Sequence, residues 1–276
     1  VTGSHGKTTT TSLVARVLSE SKLDPTIING GVINSINSNA RFGKGEWAVL
    51  EADESDGSFL KLPINYSVIT NLDKEHLDFY KNYENLKNAF TKFIKKTPPI
   101  GKAIICLDNL GLKNIIKEIN KKNYLTYGFD KKSNYQVLNP RYELNYSKFD
   151  LKTYSYGSKK TIIKNVVVNL IGKHNVLNAA GAVAVCLNLG ISINIIKNAL
   201  KNFSGVQRRL TKVFIKNQNE FYDDYAHHPT EIFSVLKGLR QVYKERKLIS
   251  VFQPHRYSRV KNLKKEFASS FLTSDL

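Results

Sequence analysis

The turn Gly3-Ser4-His5-Gly6-Lys7-Thr8 leaves the backbone few ways to continue. Its glycines favour a tight bend, and the residues after it place Leu13, Val14, Val17 and Leu18 on one face of a helix predicted over about 8–21. Such a turn, following the end of a strand, directs backbone N–H groups to the positive end of the next helix, where phosphate binds. Lys7 is suited to neutralise β/γ-phosphate charge, and the Thr8 hydroxyl to reach Mg²⁺. The spacing departs from G-x-x-x-x-G-K-[ST], because Val1 stands in the place of the first glycine. Thr8 to Thr11 are β-branched, which costs helix stability, and ligation gives such a start a reason.

Beyond this helix, extended stretches at 26–31, 47–51, 66–71 and 102–107 alternate with helical patterns. One helix carries Leu86, Phe90, Phe93 and Ile94 and stops at Pro98-Pro99; another is predicted near 111–121. Short strands with turns fill 123–170, and helices follow from 172 to near Gly190 and over 193–202. The alternation predicts an α/β fold with a mostly parallel sheet. Phe203-Ser204-Gly205 reads as a boundary, giving domains at 1–204 and 205–276. The second begins with strands at 211–216 and 220–225, a helix started by Pro229, a strand at 247–252 and a helix from about Ser258.

The chain has 276 residues, 41% hydrophobic and 24% charged, which is enough to bury a core and excludes disorder as the overall state. No apolar run reaches the ~18–20 residues of a membrane span. Val1 to His5 lack the character of a secretory signal. Cys106 and Cys186 lie in apolar runs and read as reduced core thiols, so a cytoplasmic location without membrane insertion is expected. There is no Met, and the chain stops after an amphipathic stretch, so both ends read as cut from a longer protein. The charge of +19, from 42 basic and 23 acidic residues, raises a nucleic-acid partner. The basic residues are scattered, however, with pairs such as Lys95-Lys96, Lys121-Lys122 and Lys159-Lys160 and no longer block. That pattern describes solvated faces, expects no nucleic acid and suits a polyphosphate substrate.

Further constellations sit at predicted strand ends. Glu51-Ala-Asp53-Glu54-Ser55-Asp56 crowds carboxylates whose repulsion a Mg²⁺ would relieve. His76 follows the third strand, beside both motifs. Asp223-Asp224-Tyr225-Ala226-His227-His228-Pro229 lacks a second cluster at zinc spacing and fits nucleotide or anion contacts better. In Gln253-Pro254-His255-Arg256-Tyr257-Ser258-Arg259, arginines three apart on a starting helix suit a carboxylate or phosphate clamp.

Together, GSHGKTTTTS (3–12), EADESDGSFL (51–60), TNLDKEHLDFY (70–80), GKHNVLNA (172–179), GVQRRL (205–210), DDYAHHPTEI (223–232) and VFQPHRYSR (251–259) resemble the Mur ligases. These are ATP-dependent amide-forming enzymes of peptidoglycan synthesis. The resemblance is strongest to members that join L-alanine to UDP-N-acetylmuramate, with those that reattach a recycled tripeptide as the alternative. It implies a central P-loop-type ATPase domain and the start of a truncated, Rossmann-like C-terminal domain, with the UDP-binding domain before Val1. ATP and Mg²⁺ are the implied cofactors. Gly3, Ser4, His5, Gly6, Lys7, Thr8 and Thr9 would hold phosphates; His174, Asn175 and Asn178 the nucleoside, Asn175 the adenine; Arg209 and Asp224 the phosphates and ribose. Thr8 and Glu51 would hold one Mg²⁺ and His76 help hold a second, with Lys7, His76 and His228 catalytic. His228, His255, Arg256 and Arg259 would receive the substrate amino acid. Relatives with a carbamylated lysine direct attention to Lys87, Lys92 and Lys95.

Overall fold

A computed structural model of the chain describes residues 1–98, 100–154 and 160–276; Pro99 of the predicted helix stop and Lys159 of one lysine pair lie outside them. The first part runs α1 (Lys7–Glu20), β1 (Thr26–Ile33), β2 (Ser38–Arg41), β3 (Ala48–Leu50), β4 (Ser67–Ile69), α2 (Leu77–Tyr80), α3 (Tyr83–Lys96) and β5 (Ala103–Cys106). There follow α4 (Leu110–Ile115), β6 (Tyr124–Gly128), β7 (Tyr135–Tyr142), β8 (Ser147–Tyr154), β9 (Lys160–Val168), α5 (Lys173–Asn188) and α6 (Ile193–Lys201). The remainder forms β10 (Thr211–Lys216), β11 (Asn219–Asp223), α7 (Pro229–Val242), α8 (Tyr257–Asn262) and α9 (Lys264–Ser270).

Strands β4 to β9 form one sheet in chain order, parallel from β4 to β7 and antiparallel from β7 to β9. A second sheet sets β1 between β2 and β3. Val1 and Thr2 join the two. Ala52 N–H donates to Val1 O at 2.7 Å, Thr2 N–H to Val68 O at 2.9 Å and Thr70 N–H to Thr2 O at 3.0 Å. These residues are the predicted strand end that feeds the glycine turn. The turn, the 51–56 carboxylates and the residues after β4 therefore emerge side by side at the carboxyl ends of neighbouring strands, where open α/β sheets bind ligands.

Burial follows from composition. β5 is apolar and buried at every position, as a parallel strand covered on both faces requires. α5 is rich in Ala and Val and buried on nearly all sides, and Gly181 lets it approach the sheet. A Cβ there would lie 2.9 Å from the Tyr127 ring. One apolar cluster runs from Leu13 to Val206; a separate small one joins Ile232 and Leu236 of α7 to Phe267 of α9. Cys106 and Cys186 are free and buried, as expected. Among the described residues no helix is long and apolar enough to cross a membrane.

Two elements differ from expectation. The helix predicted over 111–121 ends at Ile115 and tightens into 3-10 turns at Ile116–Glu118 and Lys121–Asn123, where the Asn120 side chain accepts from Lys122 N–H. The strand predicted over 247–252 forms no ladder. β10 and β11 pair with each other, and the backbone of 247–252 instead meets residues 275 and 276. Val251 is 98% exposed, so apolar character alone did not make a strand without a neighbour to pair with.

Candidate active site

The glycines of the phosphate turn are required by geometry. Gly3 has φ +136°, and a Cβ there would lie 2.1 Å from Thr70 Oγ1 and 2.9 Å from Asn71 N. Gly6, at φ +79°, caps α1, and a Cβ would lie 2.5 Å from Asn178 Oδ1. The N–H groups of Ser4 and His5 already donate to Asn71, at 3.2 Å to its carbonyl and 2.8 Å to Oδ1. Ser4 Oγ accepts from Asp73 N–H at 2.9 Å. The first turn of α1, at Lys7, Thr8 and Thr9, has backbone N–H groups with no partner within the helix and no side-chain cap.

Lys7 is the first residue of α1 and is largely buried. Its Nζ donates to both Glu54 carboxylate oxygens, at 3.1 and 2.9 Å, and to Gly3 O at 2.8 Å. Burial opposes the charge on Lys7, but Glu54 outweighs it and raises the ammonium above its usual range. The acidic run does not act as one group. Glu51 accepts from Thr8 Oγ1 at 3.0 Å and from Gly30 N–H at 2.6 Å. Glu54 points inward to Lys7, Asp53 is exposed, and Asp56 accepts from Ser58 N–H at 2.9 Å. Thr10 and Thr11 are buried with unpartnered hydroxyls, so ligation explains the start of the threonine run but not its end.

Thr8 and Glu51 offer adjacent oxygens, the donor type Mg²⁺ prefers. His76, in the left-handed conformation at φ 55°, groups with Asp53 and Glu54, their ligating atoms lying within 4.8 Å of one another. Burial lowers the His76 pKa, leaving a neutral ring able to ligate. The sequence-predicted metal residues fall into two sets, Thr8 with Glu51 and His76 with Asp53 and Glu54.

A cavity of about 250 Å³ opens beside the turn, lined by Gly6, Thr9, His174, Asn175, Asn178, Arg209 and Asp224 among others. Asn175 donates to Ile171 O at 2.8 Å and accepts from Asn178 Nδ2 at 3.2 Å. Burial lowers His174 to about 4, so it is neutral. Burial raises Asp224 to about 6, although its carboxylate accepts from Leu210 and Ala226 N–H, both at 2.7 Å. Arg209 Nη2 reaches Thr8 Oγ1 at 3.2 Å, across 201 positions of chain.

The substrate-side residues are less uniform. His228 is buried at the start of α7, with its ring 4.8 Å from that of His5 and Nε2 unpartnered. His255 and Arg256 are exposed, Arg256 at φ 67° ahead of α8. Arg259 is paired with Glu75 at 3.3 Å, so the two arginines do not present as equal arms of one clamp. Lys87 pairs with Glu118 at 3.3 Å, and Lys92 and Lys95 are exposed; none belongs to either metal set. Sequence reasoning did not single out Asp73, Thr230 or Glu231. The spacing of Glu231, three after His228, is that of a capping box, which the structure contains.

Residues 1–186 match the Mur ligase middle domain, and residues 208–275 match the Mur ligase glutamate ligase domain. The chain belongs to the Mur ligase family. It is 53% identical to the UDP-N-acetylmuramate–L-alanine ligase of Pelagibacter ubique, over 100% of this chain and 60% of that protein. It is 45% identical to the ligase of the same name from Brucella anthropi, over 99% of this chain and 58% of that one. The solved UDP-N-acetylmuramate-alanine ligase of Thermotoga maritima superposes with a TM-score of 0.80 at 29% identity, covering 99% of this chain and 59% of that one. The chain therefore spans about 60% of the length of the curated relatives it matches.

Proposed function

We propose that the chain carries the ATP-consuming part of a cytoplasmic ligase that joins L-alanine to UDP-N-acetylmuramate. Residues 1–204 hold ATP, and residues 205–276 close over it. One observation carries the reading: Arg209 and Thr8, 201 positions apart, meet at 3.2 Å beside the cavity that collects the nucleotide-type residues. The identity of the substrates is supported by the names of the relatives, and the location by free buried thiols.

The γ-phosphoryl group passes from ATP to the lactyl carboxylate of the sugar nucleotide, giving an acyl phosphate and ADP. The alanine amine attacks the acyl carbon, phosphate leaves, and the nitrogen gives up a proton. Lys7 exchanges Glu54 for the γ-phosphate and neutralises its charge. The N–H groups of the first turn of α1 hold the phosphates. Thr8 and Glu51 are the residues to hold Mg²⁺, and His76 with Asp53 and Glu54 a second, the ions supplying charge neutralisation at the phosphates. Asn175, Asn178 and His174 line the nucleoside end, and Arg209 reaches toward the phosphates. Exposed Arg256 receives the alanine carboxylate, with His255 next to it in the chain.

The test is phosphate release by the chain joined to the flanking segments of the Pelagibacter ubique relative, with ATP, Mg²⁺ and UDP-N-acetylmuramate. L-alanine and the tripeptide L-alanyl-γ-D-glutamyl-diaminopimelate are supplied in separate reactions. Release with L-alanine alone, with the matching amide, is the expected result. Release with tripeptide alone would replace the substrate and keep the mechanism; no release from a folded protein with either would overturn the reading.

A further inference from the structure

We infer that His5 is a positioning residue that fastens the start of α7 to the phosphate turn, and is not a ligand of the nucleotide. Its main chain is already committed. The N–H donates to Asn71 Oδ1 at 2.8 Å, and the carbonyl accepts from Thr70 Oγ1 at 2.6 Å and Asn71 Nδ2 at 2.9 Å. Its ring is held between carboxylates from two parts of the chain. Nε2 hydrogen-bonds Asp73 Oδ2 at 3.1 Å, and Nδ1 lies 3.3 Å from Glu231 Oε1 of α7 as an ion pair without hydrogen-bond alignment. A phosphate approaching that ring would face both carboxylates.

The surroundings reinforce the fastening. Thr230 Oγ1 donates to Asp73 Oδ2 at 2.7 Å, and the His228 ring packs on His5 at 4.8 Å. Glu231 also accepts from the N–H groups of His227 and His228, so pulling on Glu231 pulls on the helix start itself. Burial works against charge on His5, but Asp73 and Glu231 override it and raise the imidazole to about 10; a proton therefore fills the gap between the carboxylates at neutral pH. α7 belongs to the small apolar cluster rather than to the large one, and this node, like the Arg259–Glu75 pair, joins the two parts through charge. An imidazolium suits the task because one N–H hydrogen-bonds Asp73 while its charge, shared with the opposite nitrogen, attracts Glu231.

The experiment uses spin labels at Lys121→Cys and Lys237→Cys, both exposed positions, in the 276-residue chain, whose native cysteines are buried. Pulsed dipolar spectroscopy without nucleotide then reads the separation of α7 from the large sheet, and thermal melting checks that each variant folds. His5→Asn and Glu231→Gln should each lose the single narrow distance population. The double variant should lose no more than either alone, because both break the same contact. His5→Lys, which keeps a cation between the carboxylates, should recover part of the narrow population where Asn does not. An unchanged distance in both single variants, or losses that simply add, would overturn the proposal. The readout involves neither ATP nor amide formation, so it stands or falls independently of the ligase reading.

Discussion

Lys7 and Glu54 form a buried ion pair that the proposed mechanism would open when Lys7 turns to the γ-phosphate. From the sequence, Lys7 sits in a loop and its removal should spare the fold; the structure overturns the premise, because the ammonium neutralises a carboxylate that is 0% exposed. Lys7→Ala should therefore abolish ATP turnover and also destabilise the chain, by about 3–5 kcal/mol if Glu54 stays charged and less if it protonates. Denaturant unfolding of Lys7→Ala and Lys7→Ala/Glu54→Gln checks this: the second change should restore stability and leave turnover absent. Arg256→Ala should raise the KM for L-alanine by about tenfold or more and the KM for ATP little; equal effects would remove Arg256 from the amino-acid site. The acidic run and its closeness to the turn were legible in the sequence. Which carboxylate turns inward was not, because that depends on contacts brought together by folding, Lys7 to the Glu54 carboxylate and the Tyr80 hydroxyl to the Glu54 carbonyl.

At the scale of elements, the turn before α1 is fixed by contacts on its far side. Gly3→Ala would set a Cβ against the Asn71 backbone in a left-handed conformation, so a loss of about 1–3 kcal/mol is expected in denaturant unfolding. Trimming Thr70 should not recover it, since Asn71 N and O each lie 2.9 Å from the added carbon. Elements whose partners lie within one buried layer were readable: α1, α3, α5 and β5 carry their period or apolar run in full. The stretch at 247–252 misled for the converse reason. Lys247-Leu-Ile-Ser-Val-Phe252 has strand composition, yet a strand is a relation between two segments, and β10 and β11 satisfy each other.

For the whole molecule, the His5 node is one of the contacts that join the parts holding the two apolar clusters, and its titration gives docking a pH window. His5 rises from its ordinary 6.5 to about 10, so its contribution is complete below 6.5 and is lost as pH climbs from there through about 10. Asp73 and Glu231 are held below their ordinary 3.8 and 4.5 by His5 against the opposing effect of burial, so their contribution is present above those values and lost on acidification. Glu75 adds to the charge on His5, and neutral His228 covers one side of its ring. Docking should be strongest at about pH 5–6 and weaken steadily toward about pH 10, read as broadening of the α7 distance; constancy across that range would remove His5 as the titrating group. None of this is visible in a linear motif, because Asp73 and Glu231 lie 158 positions apart and only folding brings His5 between them.

The reach of Arg209 to Thr8 also bears on how such chains can be recombined. A crossover placed at Phe203–Gly205 moves Arg209 together with Asp224 and α7, and each parental half then keeps its own charge partner for the hydroxyl of Thr8 only if the incoming half brings an arginine at that place. A crossover after Leu210 leaves Arg209 with the turn it serves but parts it from Asp224, whose carboxylate holds Leu210 N–H at 2.7 Å. The seven residues 204–210 thus serve both halves, and exchange of parts between relatives is constrained there although only 204–207 lie between the two family domains and 208–210 belong to the second.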